Sequence, residues 1–167
     1  MQRPAPAKRP SAELGMPLRP ATLADARAIF ELLRQAPSTA QWSESQVLEI
    51  LASPPSDRLF LVIEERGTLQ AFLAASSVAD ECELENVVVA QDFKRHGLGA
   101  RLMDALLDHA VAAKISSIFL EVRASNSPAR RLYEKFGFEV ASRRPQYYRN
   151  PSEDAVLYRL QLRESAS

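Results

Sequence analysis

The chain has 167 residues, of which 46% are hydrophobic and 25% charged, a length and balance that suit one globular domain around a single core. Lys+Arg and Asp+Glu both number 21, so the formal net charge is zero and the basic excess of a nucleic-acid-binding protein is absent; no direct contact with nucleic acid is expected. Cys82 is the only cysteine, which excludes an internal disulfide, no Cys/His cluster suggests a metal, and no apolar run nears the roughly 20 residues of a membrane-spanning helix.

Residues 1–15, MQRPAPAKRPSAELG, are rich in proline, alanine and basic residues and have little to bury. They are expected to form a disordered tail, with the ordered domain over 16–163 and a disordered C-terminus over 164–167. Translation starting at Met16 is the alternative. Leu18 to Pro20 reads as a short strand. Thr22 caps a helix to about Gln35, with Ile29, Leu32, Leu33 and Ala36 at helical spacing. Ser43 opens a second helix, with Gln46 completing a capping box, and Pro54-Pro55 ends it. Leu59 to Glu64 and Leu69 to Val78 flank Arg66-Gly67-Thr68 as a hairpin.

Glu83 to Val89 is the next strand. A long helix follows, with Leu98, Leu102, Ala105, Leu106, Ala110 and Ala113 on one stripe. Ser117 to Val122 is a strand, and Pro128 starts a helix that ends near Phe136-Gly137. Phe138 to Arg143 and Ala155 to Leu162 are the last two strands. The order β-α-α-β-β-β-α-β-α-β-β predicts an α/β fold, a mixed sheet with helices on both faces.

The segment from Val87 to Arg101, VVVAQDFKRHGLGAR, leads an apolar strand through a short loop into a helix whose first turn holds Gly97 and Gly99. Such a turn suits a pyrophosphate, because glycines let the backbone approach and the helix N-terminus favours an anion. Arg95 adds a positive charge. A third glycine in dinucleotide spacing is missing, since Leu102 stands there, and no GK[ST] follows.

Downstream, LEVRASNSPARRLYEKFGF from Leu120 to Phe138 resembles the hallmark of the GNAT superfamily of N-acetyltransferases, and the loop before it resembles that family's RxxGxG acetyl-CoA signature, with Lys94 where Arg or Gln is usual. The resemblance spans about residues 17–162 and is strongest to the bacterial ribosomal-protein alanine acetyltransferases. It implies a mostly antiparallel seven-stranded sheet with a splayed central strand pair. It implies acetyl-CoA as cosubstrate, with the backbone of Val87, Val88 and Val89 along the pantetheine arm. Arg95, His96, Gly97, Leu98, Gly99 and Ala100 are expected around the pyrophosphate, and Asn126 on the pantetheine or adenosine side.

The resemblance also places a proton acceptor at Glu121, with Glu85 as rival, and a general acid at Tyr133. Pairing of Glu121 with Arg123 or a neighbouring strand is its structural alternative, and packing is that of Tyr133. Cys82 reads as a small buried hydrophobe rather than a nucleophile, and His96 and His109 have no metal-like spacing. Trp42, and Tyr147-Tyr148 in the loop between the last strands, are expected to wall an acceptor groove, packing roles being the alternative. The expected partner is a protein or peptide N-terminus with a small first residue, on a ribosomal protein for instance, met in the cytoplasm without a membrane. A small-molecule amine as acceptor, and a non-catalytic acetyl-CoA-binding module, are the alternatives.

Overall fold

The computed structural model describes residues 17–36 and 42–162, so the expectations for both chain ends lie outside the described residues. Seven strands form one sheet: β1 (Leu18–Pro20), β2 (Arg58–Glu65), β3 (Thr68–Val78), β4 (Glu81–Val89), β5 (Ser117–Arg123), β6 (Glu139–Tyr148) and β7 (Glu153–Gln161). Their order across the sheet is β1-β2-β3-β4-β5-β7-β6. Every neighbouring pair is antiparallel except β4 with β5. Four α-helices accompany the sheet among the described residues: α1 (Ala26–Gln35), α2 (Glu44–Ala52), α3 (Leu98–Ala112) and α4 (Ser127–Lys135).

Strand alternation gives the sheet two apolar faces. Phe60, Val62, Phe72, Ala74 and Val88 pack with Ile29, Leu33, Val47 and Leu51 of α1 and α2. Leu61, Ile63, Leu73, Ile118 and Leu120 pack with Leu102, Met103 and Leu106 of α3 and Tyr133 of α4. Leu102 and Leu106 are fully buried, each worth roughly 1.5–3 kcal/mol in area terms. Met103, off the predicted stripe, is fully buried too, whereas Ala113 is exposed. Cys82 is 1% exposed and its thiol is pushed up by that burial, as suits a packing residue.

The second helix starts as its capping box predicts: Gln46 N donates to Ser43 Oγ at 3.2 Å and Ser43 N to Gln46 Oε1 at 2.8 Å. The first differs. A 3-10 turn over Leu23–Asp25 precedes α1, and Thr22 N donates to Asp25 Oδ2 at 2.7 Å. Asp25 also takes both arms of the Arg19 guanidinium at 2.8 and 2.9 Å, and Nη2 of Arg19 reaches Glu64 as well. One carboxylate thus ties β1 to the start of α1.

Two sheet irregularities position the site. In β4, Ala74 pairs with Asn86 and Ala75 with Leu84, leaving Glu85 as the extra residue of a bulge. Cys82 and Leu84 before it, and Val87 and Val89 after it, face α3 and α4, while Val88 faces α1 and α2. The second lies in β6, which runs on to Tyr148 instead of stopping at Arg143. Tyr147 and Tyr148 therefore end a strand and do not lie in a loop. Pro145 is accommodated because β6 is an edge strand whose register with β7 shifts between Arg144 and Tyr148.

Candidate active site

Strands β4 and β5 pair only through Glu81 with Ser117, Cys82 with Ile118 and Glu83 with Phe119. From there they part, while β4 stays on β3 and β5 on β7. The facing edges from Leu84 and from Leu120 onward are thus an opening inside the sheet, with backbone N–H and C=O groups turned towards it. A cleft of about 1050 Å³ fills this opening and continues to the start of α3 and the face of α4.

The start of α3 is shaped by two glycines. Gly97 has φ +76° and precedes the helix, a conformation that L side chains adopt at a cost. The first α3 amide to find a carbonyl is that of Arg101, on Gly97 O at 3.1 Å; the N–H groups of Leu98, Gly99 and Ala100 precede it and have no intrahelical acceptor. Gly99 serves packing: a Cβ there would stand 3.2 Å from Leu132 Cδ2 of α4. Lys94, Arg95, Arg131 and Lys135 line this end of the cleft. Open amides, a positive helix terminus and four cations fit a polyphosphate, and the strand edge fits an extended arm carrying amides, which is the build of acetyl-CoA.

At the other end, Glu121 of β5, Tyr133 of α4, and Tyr147 and Tyr148 of β6 line the same cleft. Glu121 Oε1 takes Arg144 Nη1 at 3.1 Å, a partner from β6 that the sequence did not disclose. Arg144 also lies over the Tyr147 ring at 5.3 Å, and Arg123 over Tyr148 at 4.4 Å; the two tyrosines meet edge to face at 5.2 Å. Tyr133 is 8% exposed and burial pushes its phenol up to about 12, with Tyr148 adding to the effect. Tyr148 is itself raised, by burial first and then by Glu121. Glu83 and Glu85 of β4 also line the cleft. Glu85 takes Arg58 at 3.2 Å, and the Glu83 carboxyl is raised by burial first and then by Glu85 and Glu121.

The cleft therefore unites Val87, Val88, Val89, Arg95, Gly97, Leu98, Gly99, Ala100, Glu121, Asn126, Tyr133, Tyr147 and Tyr148. His96 is exposed and outside that lining. Asn126 lines the cleft but its Oδ1 also accepts from Ala129 N at 3.3 Å, capping α4. Trp42 is not part of the cleft. It packs edge-on against Phe60 and Phe72, at 6.3 and 6.4 Å, with the Arg58 guanidinium at 5.9 Å from its ring. An aromatic just before a capping box has a hydrophobic face to bury, and here the core under α2 takes it. Behind Tyr133 lies a polar relay with no local sequence signature: Arg130 Nε donates to Tyr158 Oη at 2.9 Å, and that hydroxyl donates to Glu134 Oε1 at 2.7 Å. Among the described residues no group of three or more His, Cys, Asp or Glu is placed to hold a metal, and no helix is long and apolar enough to cross a membrane.

Comparison with known proteins agrees with this geometry. The family described as Acetyltransferase (GNAT) family matches residues 26–138. The [ribosomal protein bS18]-alanine N-acetyltransferase of Escherichia coli (strain K12) is 36% identical over 124 residues, covering 72% of this chain and 81% of the relative. Its counterpart from Haemophilus ducreyi is 33% identical over 141 residues, covering 83% and 94%. The crystal structure of the ribosomal-protein-S18-alanine N-acetyltransferase from Escherichia coli superposes with a TM-score of 0.79 at 29% identity, over 91% of this chain and 97% of that one. A sheet that opens between β4 and β5 above a glycine-shaped helix start, matched by the family across both elements, makes this chain an N-acetyltransferase of the GNAT family.

Proposed function

We propose that the protein transfers the acetyl group of acetyl-CoA to the α-amine of a polypeptide with a small first residue, such as the alanine of a ribosomal protein. The observation that carries this reading is that Glu121, Tyr133 and the Tyr147-Tyr148 pair line one cleft in the β4–β5 opening. Bound acetyl-CoA supplies an activated acyl group with a thiolate as leaving group. Val87, Val88 and Val89 hold its arm along their backbone edge, and the Leu98–Ala100 amides with Arg95 hold its phosphates.

Glu121 takes the proton of the incoming ammonium, which exchanges for Arg144 on the carboxylate. The neutral nitrogen bonds to the acyl carbon as the C–S bond breaks, both substrates being bound together; the second proton of the nitrogen passes to the departing thiolate, leaving an amide and a thiol, and Glu121 returns its proton to water. An N–H of Val88 or Val89 donates to the acyl oxygen as it gains charge. The Tyr133 hydroxyl donates to the departing sulfur. An α-amine has a pKa of roughly 7.7–8.0 and a lysine about 10.4, so deprotonating the α-amine is easier by roughly 3 kcal/mol. A single carboxylate suits the easier task.

A polyamine acceptor is the second reading, favoured by the carboxylates Glu83, Glu85 and Glu121 in one cleft. Arg58 and Arg144 neutralise two of the three, which weighs against it. The test compares a free alanine-initiated peptide, its N-terminally blocked lysine-containing twin, and spermidine, with acetylation read by mass. Fastest turnover of the free peptide supports the proposal. Faster acetylation of the blocked twin, or of spermidine while both peptides fail, refutes it.

A further inference from the structure

Asn86 is 3% exposed, and both its side-chain polar atoms, Oδ1 and Nδ2, are shielded from solvent without a hydrogen-bond partner. It is the first residue after the β4 bulge and lines the cleft, as does Ala36 at the end of α1. Two residues on, Val88 packs towards α1 and α2, and strand alternation puts Asn86 on that same face. It thus stands across β4 from Leu84 and Val87, which face α3 and α4.

A buried donor or acceptor left unmade costs roughly 1–3 kcal/mol, and folded proteins leave few of them. The carboxamide is a donor and an acceptor held side by side. In an extended polypeptide the N–H and C=O of one residue lie on the same edge and offer the complementary pair. A protonated polyamine offers donors and no acceptor.

We infer that Asn86 is the anchor of the acceptor: its carboxamide pairs with the N–H and C=O of the second residue of the incoming chain and sets the distance of the α-amine from Glu121. The inference rests on the peptide-acceptor reading above and names the group that would make the enzyme select a polypeptide over a free amine. The β4 bulge is what makes this work. Without Glu85 as the extra residue, the carboxamide would alternate to the face of α3 and α4.

The test pairs a variant with a modified acceptor. Asn86→Leu is close in volume and removes the unpaired polar atoms, so it is expected to raise Tm. It is expected to raise the KM of an alanine-initiated peptide about tenfold with kcat within threefold, and to leave acetyl-CoA affinity by calorimetry unchanged. The second arm uses the unaltered protein with a depsipeptide whose first peptide N–H is replaced by an ester oxygen. Its KM is expected to rise similarly, and Asn86→Leu is expected to add little to it. A peptide KM unchanged in Asn86→Leu, or an ester acceptor used by the unaltered protein as well as the amide, overturns the anchor and leaves the peptide reading intact. Failure of the unaltered protein on the amide peptide beside turnover of spermidine overturns both. Should Asn86→Leu not fold, the ester comparison alone decides.

Discussion

Replacing Tyr133 by phenylalanine removes one oxygen from a site that is otherwise filled by packing against Phe138 and Tyr158. Burial holds the phenol near 12. An ordinary thiol titrates at about 8.5, so full transfer of the phenolic proton to the departing sulfur is uphill by roughly 5 kcal/mol, at 1.36 per pKa unit. Tyr133 is therefore expected to keep its proton and to stabilise the sulfur by a hydrogen bond. A bond to a charged acceptor is worth about 1.5–3 kcal/mol, which corresponds to a loss in kcat of roughly 10- to 150-fold. The assay is steady-state turnover of an alanine-initiated peptide by Tyr133→Phe from pH 6 to 10, with KM for both substrates and Tm recorded alongside. The loss is expected to be the same at every pH, with both KM values within threefold and Tm little changed. Unchanged kcat would remove Tyr133 from the chemistry. An alkaline fall in the unaltered protein near pH 8–9, absent from Tyr133→Phe, would show a phenol that titrates far below 12 and would refute the burial argument.

Three further outcomes follow from the site and the fold. Glu121→Gln is expected to lower kcat strongly at pH 7 and less at pH 9, where more α-amine is already neutral; the same pH-dependent defect in Glu85→Gln instead would move the base to β4. The Asp25 carboxyl is held below its ordinary value, chiefly by hydrogen bonds from Arg19, so it adds stability above the unfolded value of about 3.9, and that stability is lost as pH falls through the folded value. Asp25→Ala is expected to cost about 2 kcal/mol near neutrality, a Tm drop of roughly 4–8 °C, and calorimetric scans should show the gap narrowing from pH 5 downwards. Gly97→Ala meets open space, but φ +76° costs alanine about 1 kcal/mol, which the free protein relieves by turning this backbone away, so acetyl-CoA, which needs the turn as it stands, is expected to bind about fivefold more weakly in calorimetry; full affinity would show that this backbone does not hold the phosphates.

Much of the fold is legible along the chain because its signals are local. The Ser43–Gln46 box, the helix start after Gly97, and the alternation in β2 and β3 each act within a few residues. What escaped depends on distant neighbours. The partner of Glu121 is Arg144, 23 positions on, brought close only because β7 and β6 fold back beside β5. Pro145 and the arginines before it read as a loop, yet an edge strand tolerates them, and β6 reaches Tyr148. The family resemblance puts Trp42 on the acceptor wall, whereas Phe60 and Phe72 offer it a buried aromatic surface. Asn86 stands beside Glu85 ahead of the apolar Val87–Val89, and a bulge that local pattern does not reveal shifts it out of alternation.

The three registered pairs between β4 and β5 also have a mechanical meaning. They divide the sheet into two leaves, β1–β4 and β5–β7–β6, joined along a short spine near Glu81 and Ser117. Twisting of one leaf against the other is resisted least at the far end of the opening, where Val89 and Arg123 have no strand between them. A molecule lying in that gap bonds to both leaves at once and so works as a brace. Amide hydrogen exchange along Val87–Val89 and Leu120–Arg123 would then slow together when acetyl-CoA binds, while the spine, already closed, would change little.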